Sequence, residues 1–274
     1  MVAKKPETAT QQIAVVLGAL SSGQPVLDMM RQLLATGAGV ELHGVFIEDE
    51  ELQQAAALPL VNELCRLTLS VREINGARFD RVIALRRRTA RKMFEGLAQR
   101  RGVSHTFRTA HGSIVSLLQE TIHTSNVTIF EPIRQLSSSA IGQPMRSRLT
   151  ARRIVVVVDD FDTGKEALHT VALLTKGRPD RFSILLRAQN MAELHAMEQL
   201  VRESLPNRPF RLLLLPDREI DSLIASVQSE RGDMLVIGAT ETSLKPELLG
   251  SLLNRLECPV CLVRPVEGSP SRDP

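Results

Sequence analysis

The chain has 274 residues, net charge +3, 43% hydrophobic and 24% charged residues, a composition that suits two globular domains. Eight Phe with no Trp or Tyr imply aliphatic cores and argue against a base-stacking surface, and so small a net charge does not by itself call for a polyanion partner. Three cysteines, Cys65, Cys258 and Cys261, argue against a secreted disulfide framework; the polar start lacks the apolar core of a signal peptide, and the longest apolar runs are strand-sized, so a cytoplasmic location without a membrane anchor is expected.

In chain order, Ile13–Leu17 reads as a first strand, 18–25 as a Gly/Ser-rich turn, Val26–Ala35 as a helix and Val40–Ile47 as a second strand. A long helical stretch is expected over about 50–101. Its first part, to Ser70, carries Leu58, Val61, Leu64, Cys65 and Leu69. Asn75-Gly76 breaks it, and the second part places Phe79, Val82, Ile83, Ala90, Met93, Phe94 and Leu97 on one stripe. Ser104–Thr109 and Val127–Phe130 read as strands flanking a helix over Ser113–His123. Residues 134–152 read as a loop, a short helix and a connection. With no fifth strand legible, the edge beside Val127–Phe130 is left open.

The second half repeats the alternation. Strands are expected at Ile154–Val158, Phe182–Leu186, Phe210–Leu215, Met234–Ile237 and Val260–Val263, and helices at Lys165–Thr175, Met191–Glu203, Glu219–Ser229 and Glu247–Leu256. Short apolar strands alternating with helices imply doubly wound parallel sheets covered on both faces. The expected division is 11–150 with the helical insertion, 151–265, and a disordered tail over 266–274.

Three stretches carry a family likeness: Ile154–Asp159, an apolar strand ending in Asp; Asp233–Gly238, an apolar strand ending in Gly; and Leu256–Val263, with Cys258-Pro259-Val260 leading into the last strand. Over about 110 residues the second half resembles the universal stress protein family, while the first half fits by element order and by Gly112. The resemblance implies two tandem adenine-nucleotide-hydrolase-like domains and a non-catalytic regulatory protein. In the family's nucleotide-binding branch a Gly-x2-Gly-x9-Gly-Ser/Thr pattern cradles phosphates and an Asp after the first strand reaches the nucleoside. Asp159, Gly238, Ala239, Gly250 and Ser251 are the corresponding candidates, so ATP or AMP is a possible ligand of the second domain. The pattern is degraded: Glu241 replaces the second glycine, Gly250-Ser251 comes one residue early, and Glu241 and Glu247 would repel a polyphosphate. In the first half Gly18 stands for the aspartate and Glu131 for the first glycine, which makes that half less competent still.

Other motifs have competing readings. Cys258 and Cys261 have redox-pair spacing but open a strand rather than a helix, which favours small buried residues. Residues 78–101 hold nine Arg and Lys against two acids, net +7, while the rest of the chain carries −4. This helix is either an anion- or nucleic-acid-binding surface using Arg86, Arg87 and Arg91 or a solvated face bridged to the acidic run at 48–51. Absence of interleaved aromatics favours the solvated face and argues against nucleic acid. Arg86 falls within the apolar stripe, so either the helix is irregular there or Arg86 pairs with a carboxylate or bound anion. Ser113 reads as an N-cap, Ser137–Ser139 as a loop, and Asp160 and Asp162 as caps of the helix near Lys165, with Mg²⁺ held by these aspartates as the sharper alternative. The exposed sheet edges and the helical arm predict a homodimer or an intramolecular pairing of the halves, together with a protein partner of unspecified kind.

Overall fold

A computed structural model describes residues 11–19, 23–34, 39–58, 62–65, 70–73, 76–133, 153–175, 181–217, 219–241 and 244–265. The expected readings of 134–152, Ser137–Ser139 and the tail over 266–274 lie outside them.

The first half runs β1 (Gln11–Gly18), α1 (Gln24–Leu33), β2 (Val40–Asp49), α2 (Glu50–Ala57), β3 (Asn62–Cys65), β4 (Ser70–Glu73), α3 (Gly76–Arg101), β5 (Ser104–Gly112), α4 (Ile114–His123) and β6 (Val127–Phe130). The second runs β7 (Arg153–Val158), α5 (Phe161–Leu174), β8 (Arg181–Leu186), α6 (Met191–Ser204), β9 (Phe210–Leu214), α7 (Ile220–Ser229), β10 (Met234–Gly238), α8 (Pro246–Arg255) and β11 (Val260–Val263).

Nine strands form one sheet in the order β5-β2-β1-β6-β11-β10-β7-β8-β9. Neighbours within each half are parallel, and β6 pairs antiparallel with β11, Ile129 opposite Cys261. The edge that the sequence leaves open on the first half is therefore covered by the last strand of the second half. This is a pairing of halves within one chain. The central strands are apolar on both faces because helices cover both: β7, β10 and β11 have no exposed position. One core collects residues of α1, α3, α5 and α6 on one face, and another collects α4, α7 and α8 on the other. Polar stitches cross the joint. Arg264 donates to the carbonyls of Ile122 and His123, Gln119 to that of Leu244, and the Ile133 N–H to that of Leu253.

The insertion departs from expectation. Helix α2 ends at Ala57, and 62–65 and 70–73 pair as an antiparallel hairpin rather than continuing a helix. Only α3 is long, at 26 residues. On it, Ile83, Phe94 and Leu97 are buried as expected, whereas Val82 is exposed: the buried arc is narrower than the apolar spacing suggests. Helix α5 begins at Phe161, four residues before Lys165, because Asp160 is its N-cap and accepts from the Thr163 N–H at 3.0 Å. Ser113 occupies the N-cap position of α4 but makes no side-chain cap bond.

Candidate functional site

In doubly wound sheets ligands sit outside the carboxyl ends of the strands, where the order of winding reverses. Each half has one such crevice: between β1 and β6 in the first, between β7 and β10 in the second. The antiparallel joint points them in opposite directions.

In the second crevice Asp159 follows β7 and Gly238 ends the adjacent strand β10. Both positions are occupied from within. Arg187, just after β8, donates from Nη1 to Asp159 Oδ2 at 3.1 Å and from Nε to the Asp217 carbonyl at 3.2 Å. Only 12% of the Arg187 side chain and 15% of that of Asp159 are exposed. A guanidinium thus spans the carboxyl ends of β7, β8 and β9 and takes the carboxylate that the resemblance assigns to a nucleoside. At Gly238 a Cβ would come within 2.6 Å of the Thr163 side chain and 2.8 Å of its backbone carbon. The glycine is needed because the first turn of α5 lies against it, with Thr163 Oγ1 held by Asp160. Ala239 is buried toward the opposite core. Gly250 and Ser251 lie in the interior of α8, where amides serve the helix ladder, and α8 packs on the opposite face of the sheet from α5. The five expected nucleotide-binding positions are therefore divided between two faces. Glu241, Lys245 and Glu247 are exposed.

In the first crevice Glu131, although charged, is 6% exposed. Its Oε2 accepts the Gly23 N–H at 2.9 Å. Gly23, with φ 66°, is the N-cap of α1, whose first turn holds no acidic residue. Glu131 supplies the negative charge that the positive end of α1 attracts. An anion-binding amide position is filled by the protein's own carboxylate. Beside it lies a cavity of about 330 Å³ lined by Gly18, Ala19, Ile47, Asp49, Ile114 and Glu131, among others, and roofed by α2. The half with the more degraded motif thus carries a formed cavity in its crevice. The pairing with Gly23 spans 108 residues and leaves no local signature.

The basic residues of α3 are partly engaged. Arg87 Nη1 donates to the largely buried Glu48 carboxylate at 2.7 Å, which realises the bridge to the acidic run. Arg91 lies 5.1 Å from the Phe107 ring centroid and 4.0 Å from Glu95. Helix α3 runs unbroken past Arg86, and among the described residues the partner of Arg86 is a carbonyl rather than a carboxylate: its Nη1 donates to that of Ala19 at 2.6 Å. Cys258 and Cys261 are free and buried, and desolvation pushes both thiols up to about 12, far from the thiolate a redox pair needs. Among the described residues no group of three or more His, Cys, Asp or Glu could hold a metal ion, and no helix is long and apolar enough to cross a membrane.

Fold and crevices define a tandem doubly wound α/β protein whose two switch-point crevices are engaged by its own side chains. No protein-family model matches the chain, and no curated protein does. Solved structures similar to it include several universal stress proteins. One from Archaeoglobus fulgidus DSM 4304 is 12% identical, with 93% of this chain and 97% of that one covered and a TM-score of 0.47. A universal-stress-family protein from Burkholderia pseudomallei is 17% identical over 41% of this chain and 95% of its own, TM-score 0.29. A universal stress protein in complex with cAMP is 14% identical over 41% and 95%, TM-score 0.31.

Proposed function

We propose that the chain is a non-catalytic cytoplasmic regulatory protein of the universal stress type, acting through partner or small-ligand binding, with ATP binding lost or weak. The observation that carries this reading is the Arg187 guanidinium on Asp159. A nucleotide using this crevice must displace a mostly buried ion pair, and the backbone beside Gly238 is already covered by Thr163. The Glu131 carboxylate at the α1 N-terminus supports the same conclusion for the first half, since it repels a phosphate from the amide that would bind one. A small ligand fits the cavity of about 330 Å³ in the first half, at the lower end of the range of about 300–1,000 Å³ for small-molecule pockets.

Equilibrium dialysis of the whole chain against ATP with Mg²⁺, AMP and cAMP tests this reading. We expect no saturable uptake at micromolar concentrations and no nucleotide released on denaturing purified protein. Micromolar ATP binding that disappears in Asp159→Ala would overturn it.

A further inference from the structure

Helix α3 presents a second surface beside the first crevice, and its groove shares Gly18 and Gly23 with that crevice. Taken at 100° per residue, Arg78, Arg81, Arg88 and Lys92 fall within about 60° of Leu85 on its outward face. All five are exposed, Leu85 at 62%. Beside Leu85 the surface opens into a groove of about 210 Å³ between α3 and α1. Its floor is Leu17, Leu27 and Phe46, its far wall is Met93, and Arg86 stands at its rim, fixed on the Ala19 carbonyl. The groove is below the size of small-molecule pockets, which begin at about 300 Å³, and suits a single apolar side chain. An apolar recess with an arginine at its rim and exposed cations beside it has the anatomy of a protein-binding hot spot, whereas stacked bases would need exposed aromatics, and Phe46 on the floor is buried.

We propose that this face docks an acidic segment of a partner protein, with one apolar side chain seated in the groove and carboxylates on the surrounding cations. Charge complementarity selects the occupant. Residues 78–101 carry net +7. The chain's own segment 134–152 carries four arginines and no acid, so its charge does not complement this face. Arg86, Arg87 and Arg91 brace the helix against the body of the protein through the Ala19 carbonyl, Glu48 and the Phe107 ring. The docking face therefore stays exposed on a braced support.

The test is selection of random 16-residue displayed peptides on the immobilised whole chain. The expected result is enrichment of sequences with several Asp or Glu around one large apolar residue. Synthetic copies should lose affinity at least tenfold when that residue becomes Ser. They should lose as much on the Leu85→Ser variant and on Arg81→Glu/Arg88→Glu, both at exposed positions that should leave the circular dichroism spectrum unchanged. No enrichment, enrichment without net negative charge, or equal binding by the variants overturns the proposal. So do tighter binding of a single-stranded oligonucleotide than of the best peptide, and a concentration-dependent dimer that Arg81→Glu/Arg88→Glu abolishes.

Discussion

Glu131 and Gly23 close the first crevice from within: a carboxylate that follows β6 accepts the N–H that opens α1, at 2.9 Å and from 108 residues away. Helix α1 has no side-chain cap of its own and no acid in its first turn, so this one contact serves as both cap and countercharge. Replacing Glu131 by Ala should cost about 1–2 kcal/mol in urea unfolding, and by Gln about half as much, since an amide oxygen still accepts but carries no charge. Equal losses would show that the charge is irrelevant.

The Asp159–Arg187 pair predicts an asymmetry between single and double variants. Arg187→Ala leaves a mostly buried carboxylate without its guanidinium and should lose about 3 kcal/mol. Asp159→Ala/Arg187→Ala should lose clearly less than the two single losses combined, because neither charge is then stranded. Chemical denaturation of the four proteins reads the coupling directly. Strict additivity would mean that the two groups do not interact.

Two glycines of the expected phosphate motif should respond in opposite directions. Gly238→Ala drives a methyl to 2.6 Å from Thr163 and should destabilise by about 1–3 kcal/mol. Thr163→Ala on top of it should recover only part, because the backbone carbon of residue 163 remains at 2.8 Å. A Cβ at Gly250 meets nothing within 4 Å, inside a helix, so Gly250→Ala should stabilise by about 0.5–1 kcal/mol. Melting temperatures that fall for both would contradict the open surroundings of Gly250.

Cys258 and Cys261 should resist thiol reagents in the native protein and react on unfolding, read by absorbance in a Cys65→Ser background. Burial raises both from 9.0 to about 12, so the unfolded chain ionises first. Their contribution to stability is complete below pH 9 and is lost as pH rises toward 12, by up to about 1.4 kcal/mol per pH unit per thiol. Cys258→Ala/Cys261→Val should flatten that alkaline decline. Rapid labelling of either thiol at pH 8 would place it nearer solvent than the fold does.

Much of the second half was legible because its strands are short apolar runs cut by charged or glycine-bearing turns. Met234–Gly238 and Val260–Val263 could hardly be anything else. Residues 62–65 and 70–73 were not: Leu58, Val61, Leu64, Cys65 and Leu69 share one face when placed on a helix, yet 62–65 and 70–73 pair as antiparallel strands. The start of α5 is hard to read because its first residue, Phe161, is half exposed and lies outside the buried stripe, while Asp159, Asp160 and Asp162 all offer themselves as caps. At the sites, the residue types at 159 and 238 were readable, but their occupants were not. Arg187 lies 28 residues from Asp159 in sequence, and Thr163 reaches Gly238 only through the packing of α5 on the sheet. Position 86 looked anomalous from periodicity alone, and its carbonyl partner, 67 residues away, explains why an arginine is tolerated there.

Antiparallel pairing of β6 with β11 also bears on how such a chain can change over time. When two identical subunits meet across a symmetric seam, every substitution strikes both at once. Here each side of the seam is encoded separately, so one side can carry a long basic helix while the other keeps a five-stranded core. The seam supplies the constancy, and the two crevices at opposite rims of a single sheet can diverge around it.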